Sequence, residues 1–244
     1  MKRRAFLIGS PLEADNEHYL TGVTPDIQNM KDFLTSLSGG AWYESEISVL
    51  ENPSMKELQA GLSGSYDYVV LQYSGHGFDY RDEGTYFDIN ANEQVSLNTI
   101  HKWITAPKRF YFFDSCRKIQ QKLIESIHKS LSTALYNFDN NNLIEQYRKK
   151  YEAIIYDCES GTSVIHSCSL HESANEDQRG RGGAFSYSYF QTAKSKKCFN
   201  GKYFSIKAIF RDAINYFNEN YVIFDQQHPV IWPERRKRYF PFVI

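Results

Sequence analysis

The chain has 244 residues, with 28 Lys+Arg against 29 Asp+Glu, so no overall charge excess directs it to nucleic acid or an anionic membrane. Hydrophobic residues make up 41% and aromatics 16%, enough apolar material for one sizeable core. The N-terminal MKRRAFLIGSP carries an apolar run too short for a signal-peptide core, and no segment reaches the length of a membrane span.

RRAFLIG (3–9) predicts the first strand. TPDIQNMKDFLTSL (24–37) predicts the first helix, with Thr24 as N-cap, Pro25 at the first helical position and Ile27, Met30, Phe33, Leu34 and Leu37 at helical spacing. EISVLE (46–51) and YDYVVLQYS (66–74) read as strands on either side of SMKELQAGL (54–62), a helix capped by Ser54. SLNTIHKWI (96–104) reads as a helix and RFYFFDS (109–115) as the fourth strand. Beyond it, Ile119, Leu123, Ile127, Leu131 and Leu135 recur every four residues and predict a long amphipathic helix. FDNNN (138–142) breaks it, and LIEQYRKKYEAIIY (143–156) predicts another. TSVIHSCS (162–169) is a fifth strand, and GGAFSYSYFQTAK (182–194) and SIKAIFRDAINYF (205–217) are helices. The basic cluster ERRKRYF (234–240) reads as a solvated turn, and RYFPFVI (238–244) as an edge strand, because Pro241 cannot donate to a ladder.

Continuous apolar strands separated by helices specify an α/β fold: a three-layer sandwich whose mostly parallel sheet, of about six strands, carries helices on both faces. One domain spans 1–244, with a helical insertion or linker at about 117–161. Ligands of such sheets bind beyond the carboxyl ends of the strands, and two of those ends carry reactive side chains. YVVLQYSGHG ends in His76 and FYFFDSC in Cys116. A cysteine attacks as its thiolate and needs a neighbouring base to form it near neutral pH. The glycines beside His76 let the backbone approach a substrate, and the Gly77 and Cys116 N–H groups are candidates to face an oxyanion. Taken singly, Gly-His-Gly is also an ordinary turn, and a strand-end cysteine is also a small core residue. Together they are far more specific. Ser115 is a poor rival nucleophile, since DSCRK lacks the G-x-S-x-G elbow. Cys158, Cys168 and Cys198 form no C-x-x-C pair, which argues against a zinc site or a disulfide framework and fits a reducing, cytoplasmic setting. The other histidines, His18, His101, His128, His166, His171 and His228, form no ligand pattern.

An apolar strand with SGHG, followed about 40 residues later by an apolar strand with DSC, resembles the caspase-like cysteine peptidases. LTGVTPDIQNMKDFL (20–34), SCSLHESANE…GGAFSYSYF (167–190) and QHPVIW…RYFPFVI are similar to further parts of that family. The resemblance implies a Cys/His dyad at Cys116 and His76 and a stand-alone domain of the prokaryotic type. Within the family the pocket pattern is closest to metacaspases, which cut after Arg or Lys. Asp26, Ser74 and Asp114 occupy the positions that the metacaspase pattern uses to select the basic residue, although VTPD departs from its usual Cys-x-Asn-Asp. As structural features alone, Asp26 would favour a helix N-terminus and Asp114 would brace a loop. Two carboxylates at one pocket are better explained by a cationic partner.

The resemblance implies no organic cofactor. Calcium assists many metacaspases, but Asp79, Asp82 and Glu83 in FDYRDEG lack recognisable ligand spacing and read as a solvated acidic loop. The expected partners are protein or peptide substrates with Arg or Lys before the cut, and a separate regulatory protein; neither nucleic acid nor membrane is expected. Basic specificity would give the chain its own processing sites at Arg148, Lys149, Lys150, Arg179 and Arg181, the last two in the glycine-rich DQRGRGG. The competing reading is a catalytically inactive module of the same fold that binds a partner through the same cleft.

Overall fold

The computed structural model describes residues 1–14, 16–80, 83–119, 141–198, 202–224 and 226–244. From the N-terminus come β1 (Arg3–Ser10), α1 (Val23–Thr35), β2 (Ile47–Glu51), α2 (Met55–Leu62) and a short β3 (Gly64–Ser65). Next are β4 (Tyr68–Gly75), β5 (Gly77–Tyr80), β6 (Gly84–Asp88), β7 (Gln94–Ser96), α3 (Leu97–Trp103) and β8 (Ile104–Thr105). β9 (Lys108–Asp114), β10 (Lys118–Ile119), α4 (Asn141–Tyr156), β11 (Gly161–His166) and α5 (Ala184–Ser195) follow. β12 (Phe204–Ser205), α6 (Ile206–Asn220), β13 (Val230–Trp232) and β14 (Pro241–Val243) complete the chain. The central sheet has six strands in the order β13-β11-β9-β4-β1-β2. Only β13 runs antiparallel to its neighbour.

The alternation of side chains along the strands divides the core in two. Ala5, Leu7, Tyr68, Val70, Phe110, Phe112 and Ile165 face one layer, where α1, α4, α5 and α6 pack. Phe6, Ile8, Val69, Leu71, Tyr73, Tyr111 and Phe113 face the other, with Leu58 and Leu62 of α2, Ile100 of α3 and the small β6–β7 sheet. Both faces are therefore dry, which is why the strands read as unbroken apolar runs. Among the described residues, no helix is long and apolar enough to cross a membrane.

The local structure departs from the sequence expectations in three places. α1 begins at Val23, not after Thr24, and its N-cap Gly22 offers no side-chain cap. Instead the Glu176 carboxylate accepts the Gly22 N–H at 2.6 Å, and Pro25 falls within the first turn, where no N–H is required. The sheet edge is β13, VIW, rather than RYFPFVI; β14 pairs with β12 outside the central sheet. Burial decides this, because Phe240 and Phe242 are drawn into the helical layer and Phe242 stacks on Phe33 at 4.4 Å. Ile119, counted toward a helix by its spacing, pairs with Asp79 in β10. The remainder of that expected helix lies outside the described residues.

The segment at 117–161 thus contributes β10 and α4, with Tyr151 and Ile155 of α4 in the core. Arg148 of α4, expected as a processing site, is buried instead. Its guanidinium meets Glu46 at 2.6 and 2.8 Å, donates to the Ala41 carbonyl and stacks 3.7 Å over the Tyr43 ring. Burial opposes ionisation of Glu46, but its bonds to Arg148 and the charge of Arg3 hold its carboxyl below the ordinary range. Lys149 is exposed and Lys150 half-buried on the same helix. A protease reaches peptide bonds only in extended chain, so cutting at 148–150 requires α4 to unfold first. Replacing Arg148 by Ala should cost about 1–3 kcal/mol in urea denaturation, because Glu46 loses a charged partner that Arg3 replaces only in part. Lys149→Ala should stay within about 0.5 kcal/mol of the parent.

Candidate active site

The register of β4 on β9 sets Ser74 directly beside Asp114 at the carboxyl ends of the two strands. His76 and Cys116 each follow two residues later and are both partly exposed. Their loops touch: a Cβ at Gly77 would lie 2.8 Å from the Ser115 side chain and 3.0 Å from the Cys116 carbonyl. A side chain there would collide with both the Ser115 side chain and the Cys116 main chain, so the close approach of the two loops favours glycine.

Each loop is held from outside. The Tyr73 hydroxyl lies 2.6 Å from the His76 carbonyl, which also accepts the Asp88 N–H at 3.0 Å. The His76 Nε2 lies 2.6 Å from the carbonyl oxygen of His18, so that carbonyl fixes an Nε2–H tautomer and leaves Nδ1 as the basic nitrogen. The cysteine loop rests in a cradle formed by residues 168–174. Arg117 N–H donates to the Glu172 carbonyl and His171 N–H to the Arg117 carbonyl, both at 2.9 Å. The Cys116 thiol faces the Ala174 carbonyl at 3.6 Å, and the Cys168 thiol the Ser115 carbonyl at 3.3 Å. His166 is no rival base, since burial and then the Arg117 charge push its pKa down to about 3.

Asp26, Ser74 and Asp114 are brought together behind His76 and Cys116, all buried. Ser74 Oγ donates to Asp26 Oδ2 at 2.7 Å, the Gly183 N–H donates to Asp26 Oδ1 at 2.9 Å, and the Ser186 hydroxyl donates to Asp114. A Cβ at Gly182 would strike Asp26, and one at Gly183 would strike Asp114. Gly182 also has φ +124°, a conformation side chains resist. The main chain at Gly182 and Gly183 therefore packs directly against both acids. Burial and then the Asp114 charge push the Asp26 pKa well above its usual range, despite the Ser74 and Gly183 hydrogen bonds. Burial raises Asp114 to about 6, with the Ser186 hydrogen bond opposing it. Among the described residues no cationic side chain forms an ion pair with either acid.

Several site groups carried no readable signal in the sequence. The His18 carbonyl has no side-chain signature, and Glu176 resembles any loop acid until its contacts are seen. Glu176 ties Gly22 and the Thr21 hydroxyl to the loop ahead of α5, and its charge raises both pocket acids. Arg181 is not in an open loop as expected: Asp177 takes it at 2.8 and 2.9 Å, and its guanidinium stacks 3.8 Å from the Tyr187 ring. Arg179 is exposed. Of the acids considered for calcium, Asp79 is engaged by Arg117 and Thr85, Glu83 accepts the Tyr86 hydroxyl, and Asp82 lies outside the described residues. Among the described residues no group of three or more His, Cys, Asp or Glu side chains is placed to hold a metal ion.

The sequence matches the family model for the caspase domain, Peptidase_C14, over residues 2–240. Caspase-1 from Spodoptera frugiperda superposes with a TM-score of 0.55 at 15% identity, over 94% of this chain and 88% of that one, a likeness of fold. A search of curated proteins finds no match.

The uncompensated acid pair has a consequence for stability. A carboxyl whose folded pKa stands above its unfolded value, about 3.9 for Asp, contributes stability that is fully present below that value. This contribution is lost as pH rises through the folded pKa, near 6 for Asp114. The parent should therefore lose stability between about pH 4 and pH 7. Asp114→Asn should be more stable than the parent at pH 7.5 by about 1–3 kcal/mol, a rise in Tm of roughly 2–12 °C. Thermal melts across this pH range check both, and a lower Tm for the variant at pH 7.5 would refute the assignment.

Proposed function

The chain belongs to the caspase-domain family of cysteine peptidases, and we propose that it is an endopeptidase that cuts polypeptides after Arg or Lys with a His76–Cys116 dyad. The observation carrying this reading is the buried pair Asp26 and Asp114, with no cation beside it among the described residues. Asp114 and Ser74 stand two residues before Cys116 and His76 on adjoining strands, and Ser74 bonds Asp26 of α1. A guanidinium entering between the carboxylates would restore the charge balance that burial denies them. An Asp side chain in the same place would bring a further carboxylate to a pair that already resists ionising together, with Glu176 nearby as well.

In the proposed reaction Cys116 passes its thiol proton to His76 Nδ1 and the thiolate attacks the scissile carbonyl. The resulting oxyanion faces the N–H groups of Gly77 and Cys116. His76, steadied at Nε2 by the His18 carbonyl, gives the proton to the leaving amine. A water then attacks the thioester, with His76 again taking and returning the proton, and Cys116 is regenerated. Asp26, Ser74 and Asp114 hold the basic side chain that fixes the scissile bond over the sulfur.

Cys116→Ala should abolish turnover of Arg-containing peptides, and His76→Ala should lower kcat/KM by about 10²–10⁴. Peptides with Asp before the cut should be essentially inert, since charged hydrogen bonds of about 1.5–3 kcal/mol each are exchanged for repulsion. Normal turnover by either dyad variant, or a preference for Asp peptides, would overturn the reading; binding without turnover would favour an inactive recognition module.

Basic specificity also makes the chain a candidate substrate of itself, as part of this proposal. Arg179 is the most accessible of the five basic residues considered, since Arg148 and Arg181 are held by carboxylates and Lys149 and Lys150 lie within α4. Intact mass of the active protein beside its Cys116→Ala form tests this. A fragment beginning at Gly180, absent from the variant, is the expected result if self-processing occurs, and an active chain that stays whole ends the idea. Where no self-processing occurs, control by a separate protein becomes the natural alternative.

A further inference from the structure

A cleft opens beside Arg117, the residue after Cys116. It has a volume of about 780 Å³ and is lined by Asp79, Tyr80, Gly84, Thr85, Leu97, Asn98, Arg117, Leu170 and His171. Its size lies within the range of about 300–1,000 Å³ that is typical of ligand sites.

Chain direction relates this cleft to the acidic pocket. Going back from the dyad along β4 and β9 leads to Ser74 and Asp114. Going forward leads to Asp79 and Tyr80 from the histidine side and to Arg117 from the cysteine side. The two forward segments run together, because β10 pairs in parallel with β5, Lys118 beside Phe78 and Ile119 beside Asp79. The acidic pair and this cleft thus lie on opposite sides of His76 and Cys116 along both chain segments. A polypeptide running in the direction of those segments, with its basic side chain at the acids, would meet the cleft with its leaving-group side.

The floor of the cleft is an ion pair. Arg117 Nε meets Asp79 Oδ2 at 3.3 Å, with side-chain exposures of 12% and 9%. Only that one nitrogen is used: among the described residues the two terminal amino groups of Arg117 make no hydrogen bond or ion pair. Neither is a fully buried unpartnered atom among the described residues. Asp79 is also approached by the Thr85 hydroxyl, which leaves the carboxylate occupied and the guanidinium edge available. The rim adds His171 and the half-exposed Leu170. A guanidinium edge in a partly open cleft suits a carboxylate, which it can take through two parallel N–H donors.

We propose that this cleft receives the stretch of substrate after the scissile bond, and that Arg117 selects an acidic side chain among its first three residues. The enzyme then reads a basic residue before the cut and an acidic one after it. This rests on the peptidase reading above and assigns to the same site a second specificity determinant.

The test uses the full chain and two kinds of substrate. Fluorescence-quenched peptides share one sequence up to the Arg before the cut and carry Asp, Asn or Lys at the first, second or third position after it. A peptidyl-Arg coumarin has no residue after the cut. Asp at one of the three positions should raise kcat/KM at least tenfold over Asn, and more over Lys. Arg117→Gln should collapse that ratio to within about twofold, whereas Arg117→Lys should keep part of it. If Arg117→Gln does not fold because Asp79 is left unpaired, the double variant Asp79→Asn/Arg117→Gln removes both charges and should show the same collapse. Coumarin release together with equal rates on the Asp, Asn and Lys peptides would overturn this inference alone. An Asp preference that persists in every Arg117 variant would do the same. Failure to cut the coumarin substrate or any peptide would overturn the peptidase reading and this inference with it.

Discussion

The site depends on one piece of register, the parallel ladder that sets Ser74 beside Asp114. Because side chains alternate along a strand, a slip of one residue would turn Asp114 to the opposite face and separate it from Asp26. The same slip would move Cys116 relative to His76. Nothing at the active site specifies this register; the dry cores on both faces do. Phe110 and Phe112 must meet the α5 layer, while Tyr111 and Phe113 must meet the β6–β7 side. A shifted ladder would keep every strand hydrophobic yet lose the packing of both layers, including the stack of Phe112 on Phe185. The placement of His76 and Cys116 is thus a by-product of aromatic packing some distance below them.

A second constraint acts against the first. The fold buries two carboxylates, and the hydrogen bonds from Ser74, Gly183 and Ser186 do not offset the loss of water around them. This is an unfavourable arrangement that a bound cation, as in the proposed specificity, would relieve. Glu176 extends the arrangement beyond the pair, because the carboxylate that organises the start of α1 also deepens the negative potential of the pocket. Stability and recognition are opposed at the same atoms, whereas at Arg148 and Glu46 opposite charges meet and the helical layer gains from it.

The strands, the two-sided core and the paired reactive ends were legible in the sequence, because burial on both faces leaves long apolar runs and each run stops where the sheet stops. The family resemblance carried further than residue-by-residue reading, since Asp26, Ser74 and Asp114 are unremarkable until a pattern places them together. What escaped was main chain and tertiary contact. The His18 carbonyl, the turn at Gly182 and the replacement of a side-chain cap by Glu176 all depend on groups far apart in sequence. RYFPFVI has the composition of a strand, and only its aromatic rings, drawn to Phe33 and Tyr189, show why it leaves the central sheet. Arg181 looked available because glycines surround it, but Asp177, four residues earlier, had already claimed it.

The wall that Gly182 and Gly183 place against the two acids is made of peptide groups, and a wall of that kind has no rotamers. Its position is inherited as a conformation of the chain, held at one end by Asn175 on Gln227 and at the other by the start of α5. Ordinary substitution cannot narrow the pocket by adding a methyl group there, nor widen it by removing one. Evolution could retune such a site only by exchanging the acids themselves or by rebuilding the loop. Small adjustments of selectivity would therefore fall to surfaces that do carry side chains.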